Sequence, residues 1–340
     1  MHTIINIGPL FENGQTRSGG IVVLFDNWLR FCENKGLDTI TVDTNKRNYA
    51  NPAAAFFLIL WRSLRAMRPG RTVFIHGTWH DYLYLAPFIV AMAKVMRCRV
   101  ALRKFAGNFL EYYQQSGWLK LKVLDFVLNR ANVQFWETKR LTAYYNKVYG
   151  SKSRWFPNVR RRPEGIRHSG EYRRRFLFLS SVQRQKGLDY LKEAFTMLGK
   201  PYSVDIYGPL KDYTADELNG PHYRYHGPVD YSDVYAKLTE YDVLILPTYF
   251  DTEGYPGIIL EAFAVGVPSI TTDIGGIPEL IENGVNGYLV PPRDAKALVD
   301  AVKKLEQANY TKLSQAAYDS FAQFDEIAVN EAVLQTATEL

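Results

Sequence analysis

Short apolar runs alternate with longer amphipathic segments along the first half of the chain. The runs have the length of buried strands, and between them apolar residues recur every three or four positions, as on one face of a helix. The pattern predicts strands at residues 3–7, 39–42, 72–75, 99–102 and 133–136, and helices at residues 21–32, 56–67, 82–96 and 119–128. Strands that alternate with helices pair in parallel through right-handed crossovers, so this half is predicted to be a Rossmann-like domain.

A turn and a polar stretch separate this half from a second one like it. Pro157-Asn158 is a turn sequence, and residues 160–175 hold seven arginines with little apolar content, which is typical of an interdomain linker. The alternation then restarts, with predicted strands at residues 176–179, 203–207, 223–226, 243–246 and 268–271, helices at 188–198, 231–238 and 258–265, and a last helix capped by Asp294. We therefore expect an α/β protein with two Rossmann-like domains, residues 1–162 and 163–322, and a ligand-binding cleft between them.

Composition and charge narrow the class of protein. The chain has 340 residues and a net charge of +6, which favours anionic partners such as phosphates or an acidic lipid surface. Cys32 and Cys98 show no metal-ligand spacing and fit a reducing compartment. The N-terminus lacks a signal-peptide pattern, and the apolar run at residues 52–61 is too short to span a bilayer, so we expect a cytoplasmic protein.

The most informative stretch is DTEGYPGIILE at residues 251–261, directly after an apolar strand. Gly254 and Gly257 allow a ligand to approach the backbone closely. The helix that follows presents free N–H groups and the positive end of its dipole, which suit a phosphate. Glu253 lies in the loop and Glu261 about one turn into the helix. Both carboxylates can accept hydrogen bonds from pairs of hydroxyls, such as those of a sugar and a ribose.

This stretch resembles the E-x7-E signature of the retaining glycosyltransferases of the GT-B fold, family 4. The likeness extends to EAFAVGVPSI at residues 261–270, GGIPELI at 275–281 and NGVNGYLV at 283–290. It implies that Glu253 holds the sugar, and Glu261 the ribose, of a UDP- or GDP-sugar. Backbone groups at five consecutive positions are implied to contact the sugar and the diphosphate: Tyr255, Pro256, Gly257, Ile258 and Ile259.

The loop FLSSVQRQKG at residues 178–187 resembles the family's donor-domain loop, in which an arginine and a lysine clamp the diphosphate. Lys186 matches the lysine, but Ser181 stands at the arginine position. We hypothesise that Arg184 supplies the second charge, the alternative being a solvated loop residue. The sequence offers no D-x-D pair for a divalent ion, so we expect a metal-independent transferase without a cofactor, in which Lys186 and the helix N-terminus stabilise the leaving diphosphate.

Five residues in the first domain bear on the resemblance. Gly19-Gly20 resembles the family's glycine turn near the phosphates and the acceptor. His76 follows a predicted strand and is expected to face the cleft, where it either orients the acceptor or is an ordinary strand-end histidine. Arg103-Lys104 replaces a second family histidine and is assigned to the acceptor side. The predicted catalytic residues are thus Glu253, Lys186 and His76. Residues 323–340 resemble the family's C-terminal helix, which crosses back to the first domain.

The resemblance also implies how the sugar is transferred and to what. Retention is expected by a front-face route in which the diphosphate helps to deprotonate the acceptor. The acceptor is expected to be a glycan or a lipid-linked saccharide in cell-surface polysaccharide or lipopolysaccharide biosynthesis. Aromatic and arginine-rich helices in the first domain suit peripheral association with the cytoplasmic face of an anionic inner membrane. The alternative is that residues 52–61 simply pack on the sheet.

Other functions stay open at this point. A nucleotide-sugar epimerase can share the architecture, and a non-catalytic sugar-nucleotide-binding protein would tolerate the departures at Ser181 and Arg103. A dinucleotide oxidoreductase needs G-x-G-x-x-G after the first strand, which Gly8-Pro9-Leu10 does not supply. Nucleic-acid binding has only the net charge in its favour, so we expect no nucleic-acid partner.

Overall fold

The computed structural model describes residues 3–12, 20–105 and 109–339. The chain forms two compact units, one of Met1–Asn158 with Ile327–Leu340 and one of Val159–Glu326. It thus enters the second unit four residues before the predicted boundary at residue 162, and leaves it four residues after the predicted end at 322. The last helix clusters with the first unit.

Within the described residues, the first unit is built on a six-stranded parallel sheet with the order β2-β1-β3-β4-β5-β6. The strands are β1 (Ile4–Gly8), β2 (Thr39–Asp43), β3 (Thr72–Gly77), β4 (Arg99–Lys104), β5 (Val133–Trp136) and β6 (Ser153–Trp155). The apolar runs predicted the first five. The short edge strand β6 was missed because only its first residue is buried, which leaves no apolar run to detect.

Helices connect these strands. They are α1 (Gly20–Asn34), α2 (Pro52–Ala66), α3 (Trp79–Tyr84), α4 (Ala86–Val95), α5 (Phe109–Gln115), α6 (Trp118–Arg130) and α7 (Lys139–Tyr149). The single helix predicted at residues 82–96 is wrong, because α3 ends before Leu85 and α4 begins after it. Pro87 lies in the first turn of α4, where its missing N–H is tolerated, whereas inside a continuous helix its ring would clash with the preceding turn.

Helix α2 has two different faces. Ala55, Ile59 and Ser63 are buried, and Ala55 and Ile59 belong to the core of the first unit. Phe57 is 71% and Trp61 52% exposed on the opposite side. The expectation that this segment packs on the sheet is therefore confirmed for one face, and the other face presents large apolar side chains to solvent.

The second unit contains a six-stranded parallel sheet with the order β12-β11-β10-β7-β8-β9 in the part of the chain that the structure describes. The strands are β7 (Phe176–Leu179), β8 (Val204–Tyr207), β9 (Tyr223–Tyr225), β10 (Val243–Leu246), β11 (Ser269–Thr272) and β12 (Gly287–Val290). The helices are α8 (Leu188–Leu198), α9 (Val234–Thr239), α10 (Gly257–Val265), α11 (Ala295–Gln307) and α12 (Tyr310–Ser320), followed by α13 (Glu326–Glu339), most of which belongs to the first unit.

The strand order decides where a ligand of the second unit would bind. The chain enters the sheet at the central strand β7, adds β8 and β9 on one side, and then returns to place β10 on the other side of β7. The order reverses between β7 and β10, and such a switch point leaves a crevice beyond the carboxyl ends of the two strands. The loops that follow β7 and β10, together with the start of α10, contain the donor-binding residues predicted in the second half of the chain.

The interpretation of residues 160–175 as an interdomain linker is wrong. The whole segment belongs to the second unit and packs on it. The amide of His168 donates to the carbonyl of Val265, and the carboxylate of Asp242 accepts from the amides of Arg173 and Arg175. Polar composition suggested solvent, but these polar groups have partners within the unit.

Candidate functional site

The loop after β10 is shaped by two close backbone approaches. The amide of Gly276 donates to the carbonyl of Glu253 over 2.9 Å. Gly275 has a φ of +59°, and a Cβ atom there would overlap the Glu253 carbonyl. A residue with a side chain at 275 would therefore displace the loop. These contacts fix the backbone of Glu253 at the carboxyl end of the sheet.

The Glu253 carboxylate is held by two side chains. Lys186 Nζ lies 2.5 Å from Glu253 Oε2, and the Thr248 hydroxyl donates to the same oxygen over 3.1 Å. The Lys186 and Glu253 side chains are only 11% and 13% exposed. A nearly buried ion pair with an additional hydrogen bond is a well-defined geometry, because both charges are compensated where water is largely excluded.

Gly187 brings Lys186 to this position. The 3₁₀ turn Arg184–Lys186 follows β7 and ends at Gly187, which has a φ of +81°. A Cβ atom at 187 would overlap the carbonyl of Pro247, the residue that follows β10. The loop after β7 therefore lies directly against the end of β10, and the two residues predicted to grip the donor meet there.

Helix α10 begins one turn before Glu261. Its N-cap is Pro256, whose side chain cannot accept hydrogen bonds, so a ligand rather than a cap can meet the first amides of the helix. Tyr255 is buried, and its hydroxyl donates to Glu279 Oε2 over 2.6 Å. Ile259 is fully buried and its amide donates to the Pro256 carbonyl over 3.1 Å, so the amides of Gly257 and Ile258 are the better candidates for a ligand contact.

Glu261 has a partner that sequence reasoning missed. Arg160 Nε donates to Glu261 Oε1 over 2.6 Å, and the two side chains are 15% and 9% exposed. Burial lowers the pKa of Arg160, but the charge and the hydrogen bond of Glu261, together with Tyr231 and Tyr235, hold that pKa above its ordinary value. One indication was present in the sequence: Glu261 is the single charged residue of α10, and a buried carboxylate needs a cation.

Arg184 lies among acidic side chains. Its guanidinium is 3.3 Å from Asp189 and 3.6 Å from Glu217, and it stacks on the Tyr213 ring. The side chain is half exposed. The structure therefore brings Lys186, but not Arg184, to the Glu253 carboxylate, and the role of Arg184 at the diphosphate stays a prediction.

Residues 173–308, which include Lys186, Glu253 and Glu261, match the family model described as glycosyl transferases group 1. The segment is thus similar to a glycosyl transferases group 1 domain, and we refer to it below as the glycosyl transferase domain. The putative colanic acid biosynthesis glycosyltransferase WcaL of Salmonella typhimurium is 38% identical over 115 residues, which cover 31% of this chain and 28% of WcaL. The amylovoran biosynthesis glycosyltransferase AmsK of Erwinia amylovora is 33% identical over 146 residues, covering 39% and 36%. The chain thus matches about a third of the length of these relatives.

The fold extends beyond the glycosyl transferase domain. The structure of HepE from Anabaena in complex with UDP matches 100% of both chains with a TM-score of 0.76 and 13% sequence identity. At this identity the likeness shows the fold alone, which is GT-B with two Rossmann-like domains, as predicted.

The residues predicted outside the glycosyl transferase domain lie in the first unit. Gly20 is the first residue of α1, and Gly19 lies outside the described residues. His76 lies inside β3 rather than after it, and its side chain is 1% exposed among the rings of Phe25, Phe74 and Phe105. Burial, and secondarily Arg103, lowers the pKa of His76 well below its ordinary value. His76 is therefore a neutral, enclosed imidazole, and its catalytic role stays a prediction.

Arg103 and Lys104 end β4 and are also buried. The Arg103 guanidinium stacks on Phe156 at 3.5 Å and donates to the Leu24 carbonyl over 3.4 Å, and the Lys104 ammonium donates to the Phe105 carbonyl. Burial lowers the pKa of Arg103 to about 9 and that of Lys104 to about 7, and Glu137 opposes both shifts. Both cations are thus enclosed, and their acceptor role stays a prediction.

Proposed function

We propose that this chain is a retaining glycosyltransferase that moves a sugar from a UDP- or GDP-sugar to a saccharide or lipid-linked acceptor in cell-surface polysaccharide biosynthesis. The observation behind the proposal is the contact between Lys186 and Glu253 directly before the helix that bears Glu261. One cation, two carboxylates and a helix N-terminus match the three parts of the donor, which are the diphosphate, the sugar and the ribose.

The leaving diphosphate is proposed to be stabilised without a metal ion. Negative charge develops on the diphosphate as the glycosidic bond breaks, and Lys186 with the first amides of α10 would meet it. UDP is the first nucleotide to test, because HepE, which has the same fold, was solved with UDP.

Retention is proposed to follow a front-face route. Glu253 is tied to Lys186 and Thr248, which suits a carboxylate that positions sugar hydroxyls better than one that attacks the anomeric carbon. The domain would then contribute position and electrostatics, while the diphosphate takes the proton of the acceptor hydroxyl.

The first unit is proposed to bind the acceptor and an anionic membrane. A cavity of 580 Å³ is bounded by α1, α2 and α3, with apolar residues such as Ile21, Phe56 and Ile59 and polar ones such as Asn45 and Asp81. The mixed lining suits a saccharide with an apolar aglycone. No helix among the described residues is long and apolar enough to cross a membrane.

Beside this cavity lies what we call the α2–α4 surface, formed by the exposed side chains of Phe57, Leu58, Trp61, Leu64 and Phe88. Helix α2 also carries arginines, and the Arg65 guanidinium stacks on the Trp61 ring at 4.7 Å. Apolar side chains rimmed by cations match the interface of an anionic bilayer, into which rings insert while cations meet headgroups. We propose that this surface holds the enzyme at the cytoplasmic face of the membrane.

A transfer assay tests the proposed function. Purified protein is incubated with UDP-hexoses or GDP-hexoses and lipid-linked saccharides, with and without EDTA, and the product anomer is determined by NMR. We expect EDTA-resistant transfer with retention, which Glu253→Gln abolishes and the exposed control Glu282→Gln does not. Donor binding without transfer or hydrolysis would identify a binding protein, and an inverted sugar centre without transfer would identify an epimerase.

A further inference from the structure

We propose that Arg160 positions Glu261 to read the ribose of the donor, so that the enzyme separates ribonucleotides from 2′-deoxynucleotides through this pair. The proposal rests on the proposed function, because it assumes that the second unit binds a nucleoside diphosphate sugar. It adds a positioning residue that lies outside the matched domain segment and gives the Glu261 carboxylate a defined orientation.

The contact with Arg160 engages only one of the two carboxylate oxygens of Glu261. Arg160 Nε donates to Oε1 of Glu261 over 2.6 Å, and Oε2 receives no hydrogen bond from the residues that the structure describes. A carboxylate has about four acceptor positions, so one held oxygen leaves the other for a pair of hydroxyls. Because Arg160 already holds Oε1, the Glu261 side chain loses less rotational freedom when the ribose binds, which lowers the entropic cost of binding.

Gly257 is the residue that admits the guanidinium. It lies four positions before Glu261, so both residues lie on one face of α10. A Cβ atom at 257 would overlap Arg160 Nη2. The guanidinium thus lies along the first turn of the helix, between its amino end and the carboxylate. Gly257 is required here for space, and it is not among the glycines with positive φ.

The backbone of Arg160 is fixed where the chain returns through the second unit. Its amide donates to the Phe324 carbonyl, and its carbonyl accepts from the Glu326 amide, both over 3.0 Å. The resulting bridge pairs Arg160 with Asp325. Because the main chain is held on both sides, the guanidinium has little freedom to leave Glu261, as a positioning role requires.

Stability alone does not explain such a pair. Seven of the nine residues of α10 are buried, and Glu261 is the only charged one among them. Replacing a buried ion pair by apolar residues is often neutral or stabilising, so the pair is weak evidence for a structural role. Its location beside the free amides of a helix that follows the sugar-binding loop indicates a ligand.

The test measures the affinity for UDP and for 2′-deoxy-UDP, with GDP and 2′-deoxy-GDP as a second pair, by calorimetry. We expect the native protein to prefer the ribonucleotide by on the order of tenfold or more, the usual size of a hydrogen bond to a charged group. Arg160→Ala should bring the ratio close to that of Glu261→Gln, with little change for the deoxynucleotide. Arg160→Lys should keep part of the preference, and Arg167→Ala, an exposed arginine of the same segment, should keep all of it.

Gly257→Ala gives a second test of the same contact if Arg160→Ala folds poorly. The new methyl group displaces the guanidinium, so the ribose preference should fall. The double variant Gly257→Ala/Arg160→Ala should keep a ribose preference no lower than that of the single variant with the lower preference. Losses that add in the double variant, or an unchanged ratio in folded Arg160→Ala, would overturn the role of Arg160 while leaving the proposed function intact. A native protein that binds no nucleoside diphosphate would overturn both.

Discussion

Lys186 Nζ and Glu253 Oε2 lie 2.5 Å apart between the ends of two adjacent parallel strands. Each charge compensates the other, so neither is buried alone. A donor would share this pair, with the ammonium turning to the diphosphate and the carboxylate to sugar hydroxyls. Under the proposed function, the pair would thus hold both charges in place before the donor binds.

Replacing Lys186 should slow chemistry more than it weakens binding. Lys186→Ala removes the cation that is proposed to face the leaving diphosphate, and loss of one such group typically costs about 10²–10³ in kcat. Steady-state kinetics with the donor varied would measure kcat and KM separately. The control is Lys192→Ala, on helix α8, whose ammonium contacts Asp189. A change confined to KM would show that Lys186 binds the ground state and transition state equally.

The glycine between Lys186 and α8 should be far more sensitive to substitution than the glycine at the other end of that helix. Gly187 has a φ of +81° and contacts the Pro247 carbonyl, so Gly187→Ala adds a backbone overlap to the strain of a positive φ. Gly199 has a φ of +65° with open space around it, so Gly199→Ala should cost only the strain, about 1–2 kcal/mol. We expect Gly187→Ala to lose at least about 3 kcal/mol.

Urea unfolding of both variants would measure this difference. Equal losses for Gly187→Ala and Gly199→Ala would mean that the loop after β7 can move away from Pro247. The Lys186–Glu253 contact would then depend on the side chains alone.

The fold was predictable where the apolar pattern is strong. The central strands β7 and β10 consist of fully or nearly fully buried residues, and their bounds were predicted without error. Helix α7 was missed because its buried residues, Leu141, Tyr145 and Tyr149, include two tyrosines within a polar sequence. Such residues count as polar in a pattern, although their rings pack in the core.

The site was predictable where its residues are close in sequence. Glu253 and Glu261 lie in one loop and helix, and Lys186 follows a neighbouring strand. Arg160 could not be found this way, because its partner Glu261 lies 101 positions further along the chain. In the sequence Arg160 is one of seven arginines in a segment predicted to be a linker, and its burial and its pairing depend on the tertiary structure. The role of Arg184 stays a prediction, and the contacts of its guanidinium with Asp189 and Glu217 are likewise tertiary contacts that the loop sequence does not reveal.

The buried lysine of β4 should make stability rise with pH. Burial lowers the pKa of Lys104 to about 7, while a lysine in the unfolded chain stays protonated to about pH 10.4. Between these values the unfolded state binds more protons, so the free energy of unfolding increases with pH, by at most about 1.4 kcal/mol per unit. Below about pH 7 both states are protonated, so the free energy of unfolding no longer changes with pH through Lys104, and the full cost of burying its charge remains.

The comparison is between the native protein and Lys104→Met, unfolded in urea at about pH 7 and about pH 9. Lys104→Met should be the more stable protein at the lower pH, and its advantage should shrink at the higher one. The control variant Lys122→Met, at an exposed lysine, should have the same free energy of unfolding as the native protein at both pH values. An advantage of Lys104→Met that stays constant would mean that Lys104 keeps its proton throughout this range.

The α2–α4 surface should be the part of the chain that contacts a membrane. Phe57→Glu with Trp61→Glu replaces two exposed rings by carboxylates, which removes apolar insertion and repels anionic headgroups. Burying one large apolar side chain contributes about 1.5–3 kcal/mol, so affinity for anionic vesicles should fall at least about tenfold. Flotation with vesicles that contain phosphatidylglycerol would measure it.

Two comparisons separate this surface from simple charge attraction. Val148→Glu places one carboxylate on α7, where Val148 is 45% exposed, and should leave vesicle binding nearly unchanged. Raising the salt concentration screens the arginines but not the rings, so the native protein should keep part of its binding. Two results together would show that the association is purely electrostatic. High salt alone would release the native protein from the vesicles, and the double glutamate variant would bind vesicles as tightly as the native protein. The exposed rings of α2 would then face a protein partner or the acceptor instead of the bilayer.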